Sequence, residues 1–180
     1  MTMKQEWVAL LRAVNVGSRN RVPMAQLREA LEAAGYGPVR TYIQSGNVLL
    51  TAPTEDREAL ATHLERIVSE GFGIKSAVVL RTSAEIAGVV ASHPFGPDTS
   101  STHVVFLYRP PPAASVSHLA ALDIAPDRVE VAGTDVFVHY PNGIQGARLS
   151  AAQLERTLGV PGTMRNWRTV AALAGLAGGS

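Results

Sequence analysis

The chain has no cysteine in its 180 residues. Disulfides, a thiol nucleophile and thiolate metal sites are therefore excluded. Lysine is nearly absent: fourteen of the sixteen basic residues are arginine. Arginine suits bidentate recognition of phosphate or carboxylate, but the same bias, with abundant Ala and Gly, follows from a GC-rich genome and marks no site by itself. The net charge is only +1, so no long-range field gathers nucleic acid or a membrane surface. No apolar run approaches the roughly 20 residues of a membrane span, and Arg12 interrupts the N-terminal one. Without a signal-peptide pattern the expected location is cytoplasmic, with no membrane partner. The five histidines, at 63, 93, 103, 118 and 139, show no ligand spacing, so no metal and no cofactor are expected. A GxSxG elbow, a P-loop and a GxGxxG turn are also missing, which leaves the question of enzymatic activity open.

What is present is a strong α+β pattern. WVALLRAV, residues 7–14, reads as a strand. After the polar loop NVGSRNR, Pro23 suits a first helical turn, and Met24, Leu27, Leu31 and Ala34 recur at helical spacing. VRTYIQ and VLLTA flank Ser45-Gly46-Asn47, whose Gly and Asn tolerate positive φ and predict a tight hairpin. Thr54 is the expected cap of a helix with Leu60, Leu64, Ile67 and Val68 as its buried stripe, closed by Gly71 and Gly73. Residues 74–80 read as a further strand. The order is βαββαβ, a ferredoxin-like arrangement.

The second half repeats the theme. Thr82 and Glu85 form a capping-box pattern for a connecting helix, SHPFGPDTSST (92–102) is a linker, and HVVFLY (103–108) is a strand. A helix through Leu119 and Leu122, the hairpin DRVEVAG/TDVFVHY and a helix capped by Ser150 and Gln153 complete βαββα. GTMRNWRTV (162–170) reads as a helix start with Thr163 as N-cap and Trp167, Val170, Ala171 and Ala174 as its buried stripe. That puts a helix where a fourth strand would stand, unless a strand of the other half completes the sheet. The expected division is 1–82, a connector 83–102, and 103–180. Residues 7–11 and 104–107 are apolar at nearly every position, as in strands buried on both faces. We therefore expect two ferredoxin-like halves packed into one compact body.

Three polar segments stand out as binding candidates. The loop after the first strand, with Asn15, Gly17 and Asn20, runs from a strand end into a helix N-terminus, and Arg12 lies at the strand end. Such a junction offers free N–H groups and a positive dipole end to an anion. The hairpin tip adds Gln44, Ser45 and Asn47. Arg165 and Asn166 lie beside Trp167 in the sequence; if the segment is helical, Arg165 points almost opposite to the docking face and Asn166 sideways, near a first turn rich in unsatisfied donors. Together they predict a cleft for a small anionic ligand, a nucleotide or a phosphorylated metabolite, provided that the segments converge. Two other readings are carried. VFVHY (136–140) and VFLY (105–108) partly match the strands of RNA-recognition modules, but residues 91–180 hold six basic and six acidic residues, so no positive groove supports them. A protein–protein adaptor would instead expose an apolar patch.

The segments ALLRAVNVGSRNRVPMAQLREALEAAGY, VRTYIQSGNVLL and GTMRNWRTV together resemble the bacterial family catalogued as domain of unknown function 1697, over about residues 8–176. The family's usual Gly-Ile-Asn-Val-Gly-Gly stands here as Ala13-Val14-Asn15-Val16-Gly17-Ser18, and a Thr that often precedes Arg-Asn-Trp is Met164. The resemblance implies a duplicated ferredoxin-like fold and brings no activity with it.

Overall fold

The computed structural model describes residues 3–178. The chain divides into two compact units, one running through Ala87 and resuming from Leu173 onward, the other Gly88–Ala172.

Unit 1 begins with β1 (Gln5–Leu11), α1 (Met24–Ala33), β2 (Arg40–Tyr42), β3 (Asn47–Ala52), α2 (Arg57–Phe72) and β4 (Val78–Thr82), followed by α3 (Ser83–Ala91). Its antiparallel sheet has the order β2-β3-β1-β4, the ferredoxin-like arrangement, with β1 central. Alternate β1 residues Trp7, Ala9 and Leu11 join Leu27 and Leu31 of α1 and Leu60, Leu64 and Val68 of α2 in one core. Each such large side chain contributes about 1.5–3 kcal/mol by leaving water. The residues between them, Val8 and Leu10, are fully buried too, as an unbroken apolar run predicts. α2 is capped by Asp56, which accepts from the Ala59 N–H at 3.0 Å, and not by Thr54, whose hydroxyl accepts from the Asp56 N–H at 2.9 Å. A short Asx cap thus starts the helix two residues later than expected. Gly73, at φ +68°, ends it.

Unit 2 repeats the pattern as β5 (Thr102–Leu107), α4 (Ala113–Ala120), β6 (Arg128–Ala132), β7 (Asp135–His139), α5 (Ala151–Leu158) and β8 (Gly162–Asn166), followed by α6 (Trp167–Ala177); α3 and α6 each run across the division, at Gly88 and at Leu173. The strand order β6-β7-β5-β8 is that of unit 1. Here the expectation of a helix at 162–170 is corrected: residues 162–166 form the fourth strand, paired antiparallel with β5 from His103↔Asn166 to Leu107↔Gly162. Gly162 makes this possible, because a Cβ there would lie 2.8 Å from the Phe106 carbonyl oxygen. Thr163 is consequently a strand residue. Asn166 is the cap, its Oδ1 accepting from the Thr169 N–H at 2.9 Å. The buried positions of α6 include Val170, Leu173 and Ala177, while Ala171 is exposed and Trp167 half-buried.

The repeat holds to the level of single hydrogen bonds. Val8 faces Arg81 across β1–β4 as Val104 faces Arg165 across β5–β8. The Leu11 N–H donates to the Gly46 carbonyl at 2.9 Å, and the Leu107 N–H to the Thr134 carbonyl at 2.8 Å. The Arg12 N–H donates to Ala77 and the Tyr108 N–H to Pro161, both at 2.9 Å. Both expected capping boxes form, at Thr82/Glu85 and at Ser150/Gln153. Among the described residues, no helix is long and apolar enough to cross a membrane.

Candidate functional site

The β1–α1 loop of unit 1 is held by its own asparagines. Asn15 Oδ1 accepts from the Val22 N–H at 2.8 Å, and its Nδ2 donates to the Val22 carbonyl at 2.9 Å. The same Nδ2 donates to the Gln44 carbonyl at 2.6 Å, which ties the loop to the β2–β3 turn. Asn20 Nδ2 donates to the Ala13 carbonyl, and the Asn15 N–H to the Asn20 carbonyl, both at 2.9 Å. Between them the Arg19 N–H closes a turn on the Val16 carbonyl at 3.1 Å, with Gly17 at φ +59°. A positive φ at the first central position is that of a type II′ turn, which glycine adopts without strain. Ala13, Asn15 and Asn20 also lie in the left-handed region, at φ +57°, +54° and +52°, as does Ile43 in the β2–β3 turn at +50°. For Ala and Ile this conformation is strained, and such strain gathers at functional loops.

The two unit 1 segments therefore converge, but not in the roles expected of every residue. The amides of Asn15, Asn20 and Asn47 bind backbone and neighbouring side chains; Asn47 is fully buried and donates to the Tyr42 carbonyl at 3.1 Å and to Ser45 Oγ at 2.8 Å. Gly46, at φ +82°, packs so closely that a Cβ would meet Val14 Cγ2 at 2.6 Å. The Arg12 carbonyl accepts from Ser76 Oγ at 2.7 Å, and its side chain is half-buried. Gln44 is exposed, and Ser45 half-buried.

What the framework displays is Ser18, Arg19 and Arg21, all exposed. The guanidinium groups of Arg19 and Arg21 form no hydrogen bond or ion pair among the described residues. The loop runs into α1, whose N-cap Pro23 offers no side-chain acceptor and whose first turn has no acidic residue. The first N–H groups of the helix are thus left to an outside acceptor. Exposed Val16 and Ile43 stand one residue away from either end of the Asn15–Gln44 bond. The sequence reading placed Arg19 and Arg21 in this loop but did not select them; only the spending of the asparagines on the backbone singles them out.

Arg165 and Asn166 belong to unit 2. Arg165 is 8% exposed and donates to Thr163 Oγ1 at 2.6 Å and to the Met164 carbonyl at 3.0 Å. Burial lowers its pKa to about 10, leaving it cationic at neutral pH. Its repeat partner Arg81 is also buried and donates to the Leu80 carbonyl at 2.9 Å. A buried arginine at one sheet position in both units is a feature of the repeat. Trp167 packs edge-on against His93, with centroids 4.7 Å apart. The strand rings Phe106, Phe137 and Tyr140 are buried and present no face to a base, whereas Tyr108 is exposed. Among the described residues no three His, Asp or Glu side chains gather as a metal site.

A family model described as a protein of unknown function, DUF1697, matches residues 3–137. A structure of the conserved bacterial protein SP0830 from Streptococcus pneumoniae is similar in fold, with a TM-score of 0.74 at 21% identity, covering 97% of this chain and 99% of that one. No curated protein matches.

Proposed function

This chain belongs to the DUF1697 family of proteins of unknown function, and we propose from its own geometry that it binds a small anionic ligand, a nucleotide or a phosphorylated metabolite, on the β1–α1 loop of unit 1. The observation that carries this reading is the combination of Arg19 and Arg21, exposed and without partners among the described residues, with the uncapped N-terminus of α1 at the end of the same laced loop. Two guanidinium forks and a set of backbone donors suit phosphate oxygens. Because Asn15 and Asn20 fix the loop beforehand, little ordering entropy is lost on binding. Val16 and Ile43 offer apolar contact to the uncharged part of a nucleotide. Gly17 supplies the turn and Asn15, Asn20 and Asn47 hold the frame; Gln44 is exposed beside them, and Arg12 and Ser45 are half-buried. These groups hold charge and orient a ligand; they are poor proton carriers, so binding is favoured over catalysis.

A thermal-shift series with inorganic phosphate, pyrophosphate and nucleoside mono-, di- and triphosphates tests the reading. At a hundredfold its dissociation constant a ligand stabilises the native state by about 2.7 kcal/mol. The double substitution Arg19→Ala/Arg21→Ala should abolish the shift and leave the unliganded melting point in place, since both side chains are exposed. No shift at millimolar pyrophosphate, or an equal shift in the double variant, would overturn the proposal.

A further inference from the structure

A second polar site lies on α2, away from the loop. Ala59, Thr62, His63 and Arg66 line a groove of about 440 Å³, with Asp56 and Glu58 at its N-terminal end. Their spacing puts them on neighbouring stripes of one helix surface. His63 is not loose in this groove. Its Nδ1 is hydrogen-bonded to the hydroxyl of Tyr36, which lies just after α1, and the two rings pack at 5.5 Å between centroids. Burial raises the pKa of the Tyr36 hydroxyl, against a smaller opposing pull from Arg66, so it keeps its proton at neutral pH. A Tyr36 hydroxyl that donates to Nδ1 leaves the ring's own proton on Nε2, the remaining polar edge of a ring that lines the groove. One turn on, the exposed guanidinium of Arg66 makes no hydrogen bond or ion pair among the described residues.

The groove is dipolar, with the Nε2 edge of His63 and the guanidinium of Arg66 at one end and two carboxylates at the other. We infer that Tyr36 donates to His63 Nδ1 and that the groove binds a small phosphorylated amine, the phosphate on His63 Nε2–H and Arg66 and the ammonium toward Asp56 and Glu58. Tyr36 is a positioning residue: it touches no ligand atom and sets which imidazole nitrogen carries the proton. This site is independent of the β1–α1 loop, and its failure would leave the loop proposal standing.

The test is a titration of the full-length protein with O-phosphoethanolamine, and separately with inorganic phosphate and ethanolamine, followed in ¹H–¹⁵N spectra of the imidazole and guanidinium groups. The expected result is saturable movement of the His63 and Arg66 signals, with O-phosphoethanolamine at least tenfold tighter than phosphate. Arg66→Ala should weaken it by tenfold or more. Tyr36→Phe should exchange the His63 ¹⁵N signature toward the other tautomer and weaken binding several-fold. Failure of these signals to move, movement that does not saturate, or equal response in Arg66→Ala would overturn the inference. Movement confined to Arg19 and Arg21 would overturn it too, assigning the anion to the loop alone.

Discussion

The two units share a topology and differ in the loop that leaves their central strand. In unit 1 residues 12–23 are laced by asparagine amides, with three non-glycine residues at positive φ. In unit 2 the corresponding stretch is Tyr108-Arg109-Pro110-Pro111-Pro112, leading directly into α4 with Pro112 as N-cap. Both loops are stiff, for opposite reasons. Proline stiffens through its ring and removes the N–H at each position. Asparagine lacing stiffens through side-chain bonds and leaves backbone donors in place. Both helices start on a proline without a side-chain cap, so the proposed anion cradle rests on the loops: only the one in unit 1 keeps its backbone N–H groups beside arginines that are free among the described residues.

The sharpest way to break this comparison is at the contact that closes the loop. Gly46→Ala puts a Cβ 2.6 Å from Val14 Cγ2 at φ +82°, and should cost about 3 kcal/mol or more in a denaturant titration. Thr134→Ala, at the repeat position in unit 2, should cost less than about 1 kcal/mol. Next come the buried arginines. Arg165→Ala and Arg81→Ala should each lose about 2–3 kcal/mol while the pyrophosphate shift persists, because both side chains lie in the sheets. Asn15→Ala, which deletes three bonds, should cost about 2 kcal/mol and abolish anion binding, with faster hydrogen exchange confined to residues 13–22.

A pH titration separates the units differently. His103 stands at the repeat position of Trp7, and burial holds its pKa below the ordinary 6.5. The unfolded chain therefore binds the proton more readily. The stability that neutral His103 contributes is present above 6.5 and lost as pH falls below it; melting curves from pH 7.5 to 5 should show this loss, and His103→Gln should flatten it. The smallest effect is expected at Ala13, in the β1–α1 loop. Ala13→Gly relieves an alanine at φ +57° and should raise stability by about 0.5 kcal/mol, the relief of strain exceeding the added chain entropy.

Much of this fold was legible because it rests on local signals. Apolar runs marked β1 and β5 as strands buried on both faces, and Ser150/Gln153 marked the start of α5. The fourth strand of unit 2 was not legible: Thr163, Met164 and Arg165 have no alternating apolar pattern, and Trp167 with Val170 imitates helical spacing across the junction of β8 and α6. What makes 162–166 a strand is tertiary, the close approach of Gly162 to Phe106. Of the candidate site, the loop and the hairpin stand out in the sequence as polar segments, and the Asn15–Gln44 bond joins them. Which of their side chains stay exposed depends on where each asparagine amide goes, and spacing carries no information about that.

The most direct test of the central claim is a titration of pyrophosphate into ¹⁵N-labelled protein, followed by the backbone amide signals. The account predicts saturable shifts concentrated on residues 17–26, spanning the Gly17 turn, both arginines and the first turn of α1, with residues 108–115 of unit 2 unmoved. Shifts of equal size at 108–115, or none at 17–26, would contradict it.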